Sequence, residues 1–159
     1  MIRWLSVSAV VLVLDQVTKH IIIDLFRYGE RLEILPFFSW VRFHNEGAAF
    51  SFLAGAGPWK HWFFIGIGVV VIAYLLYELK RLAPEERLLG LVFALILGGA
   101  LGNVTDRLLH GHVIDFIFFS YGGYSFPAFN VADMSLFFGA SIWIFLMIRE
   151  YREGQQASE

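Results

Sequence analysis

The sequence predicts an all-α integral membrane protein of four transmembrane helices, capped on the extracytoplasmic side by a small β-sheet or amphipathic segment. Composition is the first observation: 58% of the residues are hydrophobic and 16% are charged, whereas soluble domains have about 45–50% and about 25%. The second is that the apolar runs are long enough to cross a bilayer. The third is that two of the connections between these runs are rich in aromatic residues.

The four spans follow from the requirement for about 20 predominantly apolar residues per transmembrane helix. Runs of this kind lie at Trp4–Ile23, Trp59–Leu79, Glu86–Val104 and about 132–149. Asp15, Lys19 and His20 stand where a cleaved signal peptide would have small residues, so we expect the first run to be a permanent anchor. The length of 159 residues suits one domain, 1–159.

Charge predicts the orientation of these spans. Short segments rich in Lys and Arg favour the cytoplasmic side of a membrane. Such residues flank the spans at Arg3, Lys80, Arg81, Arg87, Arg149 and Arg152. We therefore expect both termini in the cytoplasm and the longer connections, 24–58 and 105–131, on the outside.

The composition also excludes some functions. The formal net charge of −2 does not support nucleic-acid binding, and the absence of cysteine excludes a thiolate metal site or a cysteine nucleophile.

The outer connections contain two segments typical of short strands, Glu33–Phe43 and His112–Phe119. The first connection is also too apolar for a solvated loop, because it contains Phe37, Phe38, Trp40, Phe43, Phe50 and Phe52. These aromatic side chains either cover a packed core or contact the outer leaflet of the membrane.

Carboxyl groups in or beside apolar spans are costly, so each requires an explanation. Asp15 lies four residues before Lys19 and shares a helix face with it, which indicates an internal ion pair or the polar wall of a site. Asp24 ends the first span, where water can reach it. Asp106 adjoins Arg107 and is expected to pair with an arginine.

Asp115 and Asp133 are harder to explain as structural residues. Asp115 lies in an apolar strand segment, on the same face as Val113 and Ile117. Asp133 follows Asn130 by three residues, which is the spacing of a helix N-cap and the N3 position. An apolar strand and a helix N-terminus would move the two pKa values apart, as expected of an acid and a base that act together. Two such carboxyls could share a proton and activate a water molecule without a covalent intermediate.

Other polar groups lie on the same predicted side of the membrane. Asn103 and Arg107 would share a helix face if the third span continued, and Asn45 precedes a glycine turn. Their side chains could hold a substrate backbone or orient the aspartates. Gly98 and Gly102 have the spacing that allows close approach of helices.

These segments together resemble the lipoprotein signal peptidases, or signal peptidase II. The resemblance spans about residues 10–140 in the same order, and the motifs that carry it are Asp15-Gln-Val-Thr-Lys19, Asn45-Glu-Gly-Ala-Ala-Phe-Ser51, Gly98-Gly-Ala-Leu-Gly-Asn-Val-Thr-Asp-Arg107, Val113-Ile-Asp-Phe116 and Phe129-Asn-Val-Ala-Asp133. One such motif would be a weak signal, but five in order are specific.

The resemblance implies an aspartyl endopeptidase with no cofactor and with Asp115 and Asp133 as its catalytic pair. Supporting roles are implied for Asp15, Asn45, Asn103, Arg107 and Asn130. It also implies a substrate, a bacterial prolipoprotein with diacylglyceryl on its cysteine, cleaved just before that cysteine at the outer face of the cytoplasmic membrane. Inhibition by globomycin is a further implication, and we expect a monomer.

Three other hypotheses compete with the peptidase. His110, His112 and Asp115 could bind zinc in a hydrolase, although their spacing matches no zinc-protease motif that we recognise. Asp15 and Lys19 could form the relay of a proton-coupled transporter, but four spans without a visible repeat suit alternating access poorly. A serine–lysine peptidase is less favoured, because Lys19 has no serine in an obvious catalytic setting.

Overall fold

Four long helices dominate the structure, a computed structural model that describes residues 1–47, 57 and 59–156. They are α1 (Ile2–Leu25), α2 (Trp59–Arg81), α3 (Arg87–His110) and α4 (Val131–Gln156). Within the described residues, these four helices are long and apolar enough to cross a membrane, which confirms the predicted fold class and number of spans.

Two helices extend well beyond the predicted spans, because the spans were placed by hydropathy and hydropathy does not mark where a helix stops. α3 continues past Val104 to His110, and Gly111 ends it in the left-handed conformation with φ 80°. Its last turns are polar, so they lie outside the apolar window but remain helical. α4 extends to Gln156, beyond the apolar run, for the same reason.

The strands form one antiparallel sheet in the order β1 (Arg31–Leu35), β2 (Phe38–Asn45), β3 (Val113–Tyr121) and β4 (Tyr124–Ser125). The segment Glu33–Phe43, predicted from its composition to form short strands, is a hairpin, because a turn at Pro36 and Phe37 separates β1 from β2. Proline lacks the N–H that a central strand position would use. The segment predicted at His112–Phe119 is strand β3, as expected.

The sheet packs on one end of the helix bundle through a small apolar core. Ile22 of α1 contacts Ile114 and Phe116 of β3, with Trp40 and Phe26 packed against them. Phe37 and Phe119, by contrast, are 47% and 40% exposed. The sheet thus has both a packed core and exposed aromatic residues. Phe50 and Phe52, also predicted to belong to this cap, lie outside the described residues.

The α2–α3 connection lies at the opposite end of the bundle. The Arg3 guanidinium of α1 donates to the backbone oxygen of Pro84 in that connection at 3.3 Å. The basic residues at the start of α1 and around the α2–α3 connection therefore share one end, and the sheet lies at the other.

α3 is the central helix and packs against the other three. In its most apolar window 61% of the residues are buried, compared with 17–22% in the other helices. Glycines allow this close packing: a Cβ on Gly98 would lie 2.9 Å from the backbone oxygen of Ser8 in α1. A Cβ on Gly102 would lie 2.5 Å from Asp15 Oδ2 and 3.2 Å from the Ala132 Cβ. Both positions of the predicted small-residue pair thus form helix contacts.

Candidate active site

Asp115 lies on β3, and its carboxyl group is buried at the boundary between the sheet and the helices. The residue is 3% exposed. The Asn45 side-chain amide donates to Asp115 Oδ2 at 3.0 Å, and the Asn130 side-chain amide donates to Oδ1 at 2.7 Å. Asn45 is itself held by the turn that follows it, because its Oδ1 accepts the Gly47 N–H at 2.8 Å. Each amide thus donates to a different carboxylate oxygen, and together they fix the orientation of the Asp115 carboxyl group.

Asp133 lies in the first turn of α4, in the capping arrangement predicted from its spacing with Asn130. The Asp133 N–H donates to Asn130 Oδ1 at 2.9 Å, and the Asn130 N–H donates to Asp133 Oδ2 at 3.3 Å. The side-chain amide of Asn103 on α3 donates to the other carboxylate oxygen, Asp133 Oδ1, at 2.8 Å. Asp133 is half-buried, so its cap role leaves the carboxyl partly accessible.

Asn130 joins the two carboxyl groups. This residue is fully buried, and it contacts Asp115 through its side-chain amide and Asp133 through its backbone N–H. The Asn130 side chain also approaches Asn103 Oδ1 at 3.5 Å. Two aspartates from a strand and a helix are thus brought together in one hydrogen-bonded cluster.

The electrostatic setting of Asp115 differs from that of an ordinary carboxyl group. Burial, and then the charge of Asp133, raise its pKa from 3.8 to about 7, although the hydrogen bonds from Asn45 and Asn130 oppose the increase. Near neutral pH, Asp115 therefore retains its proton far more readily than a solvated aspartate does.

Arg107 lies near the carboxyl pair but forms a hydrogen bond with neither aspartate. Its guanidinium donates to the Asn103 backbone oxygen at 3.1 Å and lies 5.3 Å from the centre of the Phe64 ring. Its charge nevertheless interacts with those of Asp133 and Asp115. The position is that of a cation beside the pair, one helical turn from Asn103.

The expected pairing of Asp106 with an arginine was wrong. Asp106 Oδ2 instead lies 2.9 Å from the Lys19 ammonium nitrogen. Successive side chains on a helix point about 100° apart, so Asp106 faces α1 while Arg107 faces the site. Lys19 also lies 2.7 Å from Asp15 Oδ2, which confirms the internal ion pair, one of the two alternatives for these residues.

Sequence reasoning missed the part played by Gln16 and the long-range partner of Lys19. The Gln16 side-chain amide donates to Asp106 Oδ1 at 2.7 Å. Gln16 belongs to the first motif, and Asp106 lies one turn after Gly102 on α3. A signal was therefore present, because polar residues on both α1 and α3 needed partners inside the bundle.

An apolar cavity of about 430 Å³ lies beside the Asp133 carboxyl group. Its lining is aromatic and aliphatic except for that one acid, and consists of Phe126, Phe129, Asp133, Met134, Phe137 and Phe138. An apolar group of a ligand could therefore lie next to the carboxyl pair without leaving hydrocarbon surroundings.

The three residues of the zinc hypothesis do not converge. Over residues 1–47, 57 and 59–156, the structure contains no group of three His, Cys, Asp or Glu side chains placed to hold a metal. His112 instead stacks on His44, with ring centres 3.7 Å apart, and the ring centres of His110 and His112 are 6.2 Å apart.

His44 has an unusual electrostatic setting in this stack. Burial, and then the charge of His112, lower the pKa of His44 from 6.5 to about 4.

Comparison with known proteins reveals extensive similarity in sequence and structure. A family model described as signal peptidase (SPase) II matches residues 7–149. The lipoprotein signal peptidase of Alteromonas mediterranea is 46% identical over 99% of this chain and 85% of its own length. That of Psychromonas ingrahamii is 49% identical over 91% of this chain and 83% of its own length.

Solved structures agree with this result. One bacterial membrane enzyme superimposes with a TM-score of 0.83 at 33% identity, covering 95% of this chain and 90% of its own. A second has a TM-score of 0.80 at 34% identity, covering 92% of this chain and 93% of its own. The chain is a multi-pass membrane protein that belongs to the signal peptidase II family, the lipoprotein signal peptidases.

Proposed function

We propose that the chain, acting as one membrane-embedded domain over residues 1–159, is an aspartyl endopeptidase. Membership of the family supports cleavage of signal peptides from prolipoproteins. The finer proposal is that the substrate carries diacylglyceryl on its cysteine and that the bond just before this cysteine is cleaved. The observation that carries the catalytic assignment is the hydrogen bonding of Asn130 to both Asp115 and Asp133.

The proposed mechanism divides the chemistry between the two acids. Asp115, with a pKa of about 7, carries the proton and donates it to the carbonyl oxygen of the scissile peptide. Asp133, as a carboxylate, accepts a proton from the attacking water molecule. Because the water attacks directly, the enzyme forms no covalent intermediate. The tetrahedral diol then collapses: Asp133 returns its proton to the leaving nitrogen, the C–N bond breaks, and Asp115 takes a proton back from a hydroxyl group of the diol, which restores both acids. The pair shares its titrating proton, so the observed pKa values of the reaction belong to both groups.

Amide groups hold both acids in place for this chemistry. Asn45 and Asn130 orient the Asp115 carboxyl, and Asn103 orients that of Asp133. Arg107 supplies positive charge beside the pair, where negative charge develops on the carbonyl oxygen. We also propose that the Arg107 guanidinium reaches the carbonyl oxygen of the bound substrate.

The substrate class agrees with the surroundings of the site. The apolar cavity beside Asp133 offers a place for an apolar part of the precursor, and exposed aromatic residues of the sheet can rest at a lipid surface. A globomycin-type inhibitor would compete for the same site. We propose that the protein acts as a monomer.

The two ends of the bundle support a proposed orientation in the bacterial cytoplasmic membrane. Arg3 contacts the α2–α3 connection, whose flanks carry Lys80, Arg81 and Arg87. By the positive-inside rule this end is cytoplasmic, and so are both termini. The sheet and the two aspartates then lie at the outer face.

Cleavage of a diacylglyceryl-modified prolipoprotein by purified protein in liposomes tests this proposal. Asp115→Asn and Asp133→Asn should each reduce turnover by at least about a hundredfold, the scale of general acid–base catalysis. Asp24→Asn, the same change at an exposed carboxyl of α1, is the matched control and should retain activity.

Mass spectrometry of the products should find the lipid-modified cysteine at the new N-terminus. Wild-type activity should be blocked by globomycin and unaffected by chelators. Normal turnover by Asp115→Asn or Asp133→Asn would refute the catalytic assignment. Cleavage of the unmodified precursor at the same rate as the lipid-modified one would refute the proposed substrate.

A further inference from the structure

Three charged side chains form a buried ion cluster between α1 and α3. The Lys19 ammonium nitrogen lies 2.7 Å from Asp15 Oδ2 and 2.9 Å from Asp106 Oδ2. Asp15 is 0% exposed, and Lys19 and Asp106 are each 1% exposed. Such groups require hydrogen-bond partners for their remaining polar atoms, since unpaired buried charge is strongly destabilising.

The partners of the two carboxylates are specific peptide groups next to the candidate catalytic residues. Asp15 Oδ1 accepts the backbone N–H of Ala132 at 2.9 Å. Asp106 Oδ2 accepts the backbone N–H of Ile114 at 3.0 Å. Ala132 immediately precedes Asp133, and Ile114 immediately precedes Asp115.

We propose that Lys19 is a positioning residue that sets the relative placement of Asp115 and Asp133 through these two peptide groups. Its ammonium group holds the Asp15 and Asp106 carboxylates together, and each carboxylate in turn holds the backbone just before one member of the pair. The inference rests on the proposed function, because it concerns how that catalytic pair is kept in geometry.

The contacts of Lys19 support an indirect role. Besides the two carboxylates, its nitrogen approaches Asn103 Oδ1 at 3.4 Å, whereas no hydrogen bond joins it to Asp115 or Asp133 among the described residues. Asn103 donates to Asp133, so this third contact links Lys19 indirectly to one member of the catalytic pair. The contacts of Lys19 with the aspartates therefore run through Asp15, Asp106 and Asn103, and its charge also acts directly on Asp115. Gly102→Ala keeps that charge and so tests the contacts alone.

The peptide groups that the cluster holds have little freedom of their own. Ala132 is 0% exposed and lies in the first turn of α4, where backbone N–H groups have no partner within the helix. Ile114 is 1% exposed and pairs with His44 across the sheet. A small shift of either group would therefore move the adjacent aspartate, and misplacement by about 1 Å can cost about a hundredfold in rate.

Gly102 supplies a way to perturb the cluster without changing a charged residue. A Cβ at this position would lie 2.5 Å from Asp15 Oδ2 and 3.2 Å from the Ala132 Cβ. Gly102→Ala therefore displaces the Asp15 carboxylate, the Ala132 backbone or both, while every titrating group of the cluster remains.

The test measures kcat per folded molecule and KM for Lys19→Met, Lys19→Arg and Gly102→Ala with the diacylglyceryl-modified precursor in liposomes. We expect kcat to fall by about ten- to a hundredfold in Lys19→Met and Gly102→Ala, with KM within about twofold of wild type. Lys19→Arg should recover part of the loss, because it restores a cation between the carboxylates. Should Lys19→Met fail to fold, Gly102→Ala supplies the same comparison.

A purely structural role predicts a different pattern. Leu75→Ala, a change in the apolar core between α2 and α3, serves as the control for lost stability and should leave kcat per folded molecule unchanged. Wild-type kcat per folded molecule in Lys19→Met or Gly102→Ala would overturn the inference. Asp115→Asn in the same assay separates the two proposals: activity in that variant refutes the catalytic pair itself, whatever the Lys19 results.

Discussion

Replacing Asp115 by asparagine should remove a dependence of stability on pH that the buried carboxyl imposes on the folded protein. Asp115 is 3% exposed, and burial together with the charge of Asp133 raises its pKa from 3.8 to about 7. Asparagine has nearly the same shape but no titrating group. Comparison of the two proteins across pH therefore isolates the contribution of this carboxyl.

The sign follows from proton linkage. The folded-state pKa is higher than the unfolded-state value, so the unfolded chain loses its proton first as pH rises. The stabilising contribution of protonated Asp115 is complete below pH 3.8 and is lost as pH rises through about 7. The stability of the wild type should therefore decrease toward neutral pH relative to the variant.

The magnitude follows from the same two pKa values. A rise from 3.8 to about 7 corresponds to about 4 kcal/mol, at about 1.4 kcal/mol for each pKa unit. Between about pH 5 and pH 7, the wild type should lose about 1.4 kcal/mol relative to Asp115→Asn for each pH unit. In the variant one amide group must face the amides of Asn45 or Asn130, which costs about 1–3 kcal/mol at every pH and adds only a constant offset.

Thermal unfolding followed by tryptophan fluorescence in detergent or nanodiscs measures this difference. Wild type, Asp115→Asn and the exposed control Asp24→Asn would be compared from about pH 4.5 to about pH 8.5. The melting temperatures of wild type and Asp24→Asn should change in parallel, whereas that of Asp115→Asn should rise relative to both toward neutral pH. Parallel curves for all three proteins would refute the assignment of a raised pKa to Asp115.

Three further changes test separate parts of the structure. Asn103→Ala removes the amide that donates to Asp133 Oδ1, a bond to a charged group worth about 1.5–3 kcal/mol, so kcat should fall at least about tenfold; an unchanged kcat would show that the amide is idle. His44→Phe keeps a ring stacked on His112 but cannot titrate. Because the pKa of His44 is lowered to about 4, the wild type should lose stability relative to this variant as pH falls from 6.5 toward 4, and parallel melting curves would contradict the lowered value. Leu75→Ala should lower the free energy of unfolding by about 2–5 kcal/mol through the cavity it leaves, and stability within error of wild type would contradict the packing between α2 and α3.

Much of the fold could be predicted because the membrane restricts the available structures. Backbone groups in hydrocarbon must be satisfied within a helix, so apolar runs of sufficient length identify α1–α4. The same reasoning does not give the end of α3, where Asp106 and Arg107 continue the helix beyond the apolar run. The turn at Pro36 could not be placed either, since a run of strand-forming residues does not show where the chain reverses.

The candidate site could be predicted where the relevant spacing was local. The Asn130–Asp133 cap and the Asp15–Lys19 pair both follow from distances of three or four residues along a helix. The partner of Asp106 could not be predicted in this way, because it depends on how α3 is rotated against α1. Only the packing of the helices determines that rotation, and it places Lys19 opposite Asp106.

The burial of α3 has a consequence for how the protein responds to the lipid around it. In α1, α2 and α4 only 17–22% of the most apolar window is buried, so these helices form the boundary with the bilayer. A thinner membrane is accommodated by tilting of the helices that contact lipid, and a thicker one by local thinning of the bilayer around them. Asn103 and Arg107 are carried by the shielded helix instead. Changes in acyl-chain length should therefore alter the outer surface of the bundle more than the positions of Asn103 and Arg107.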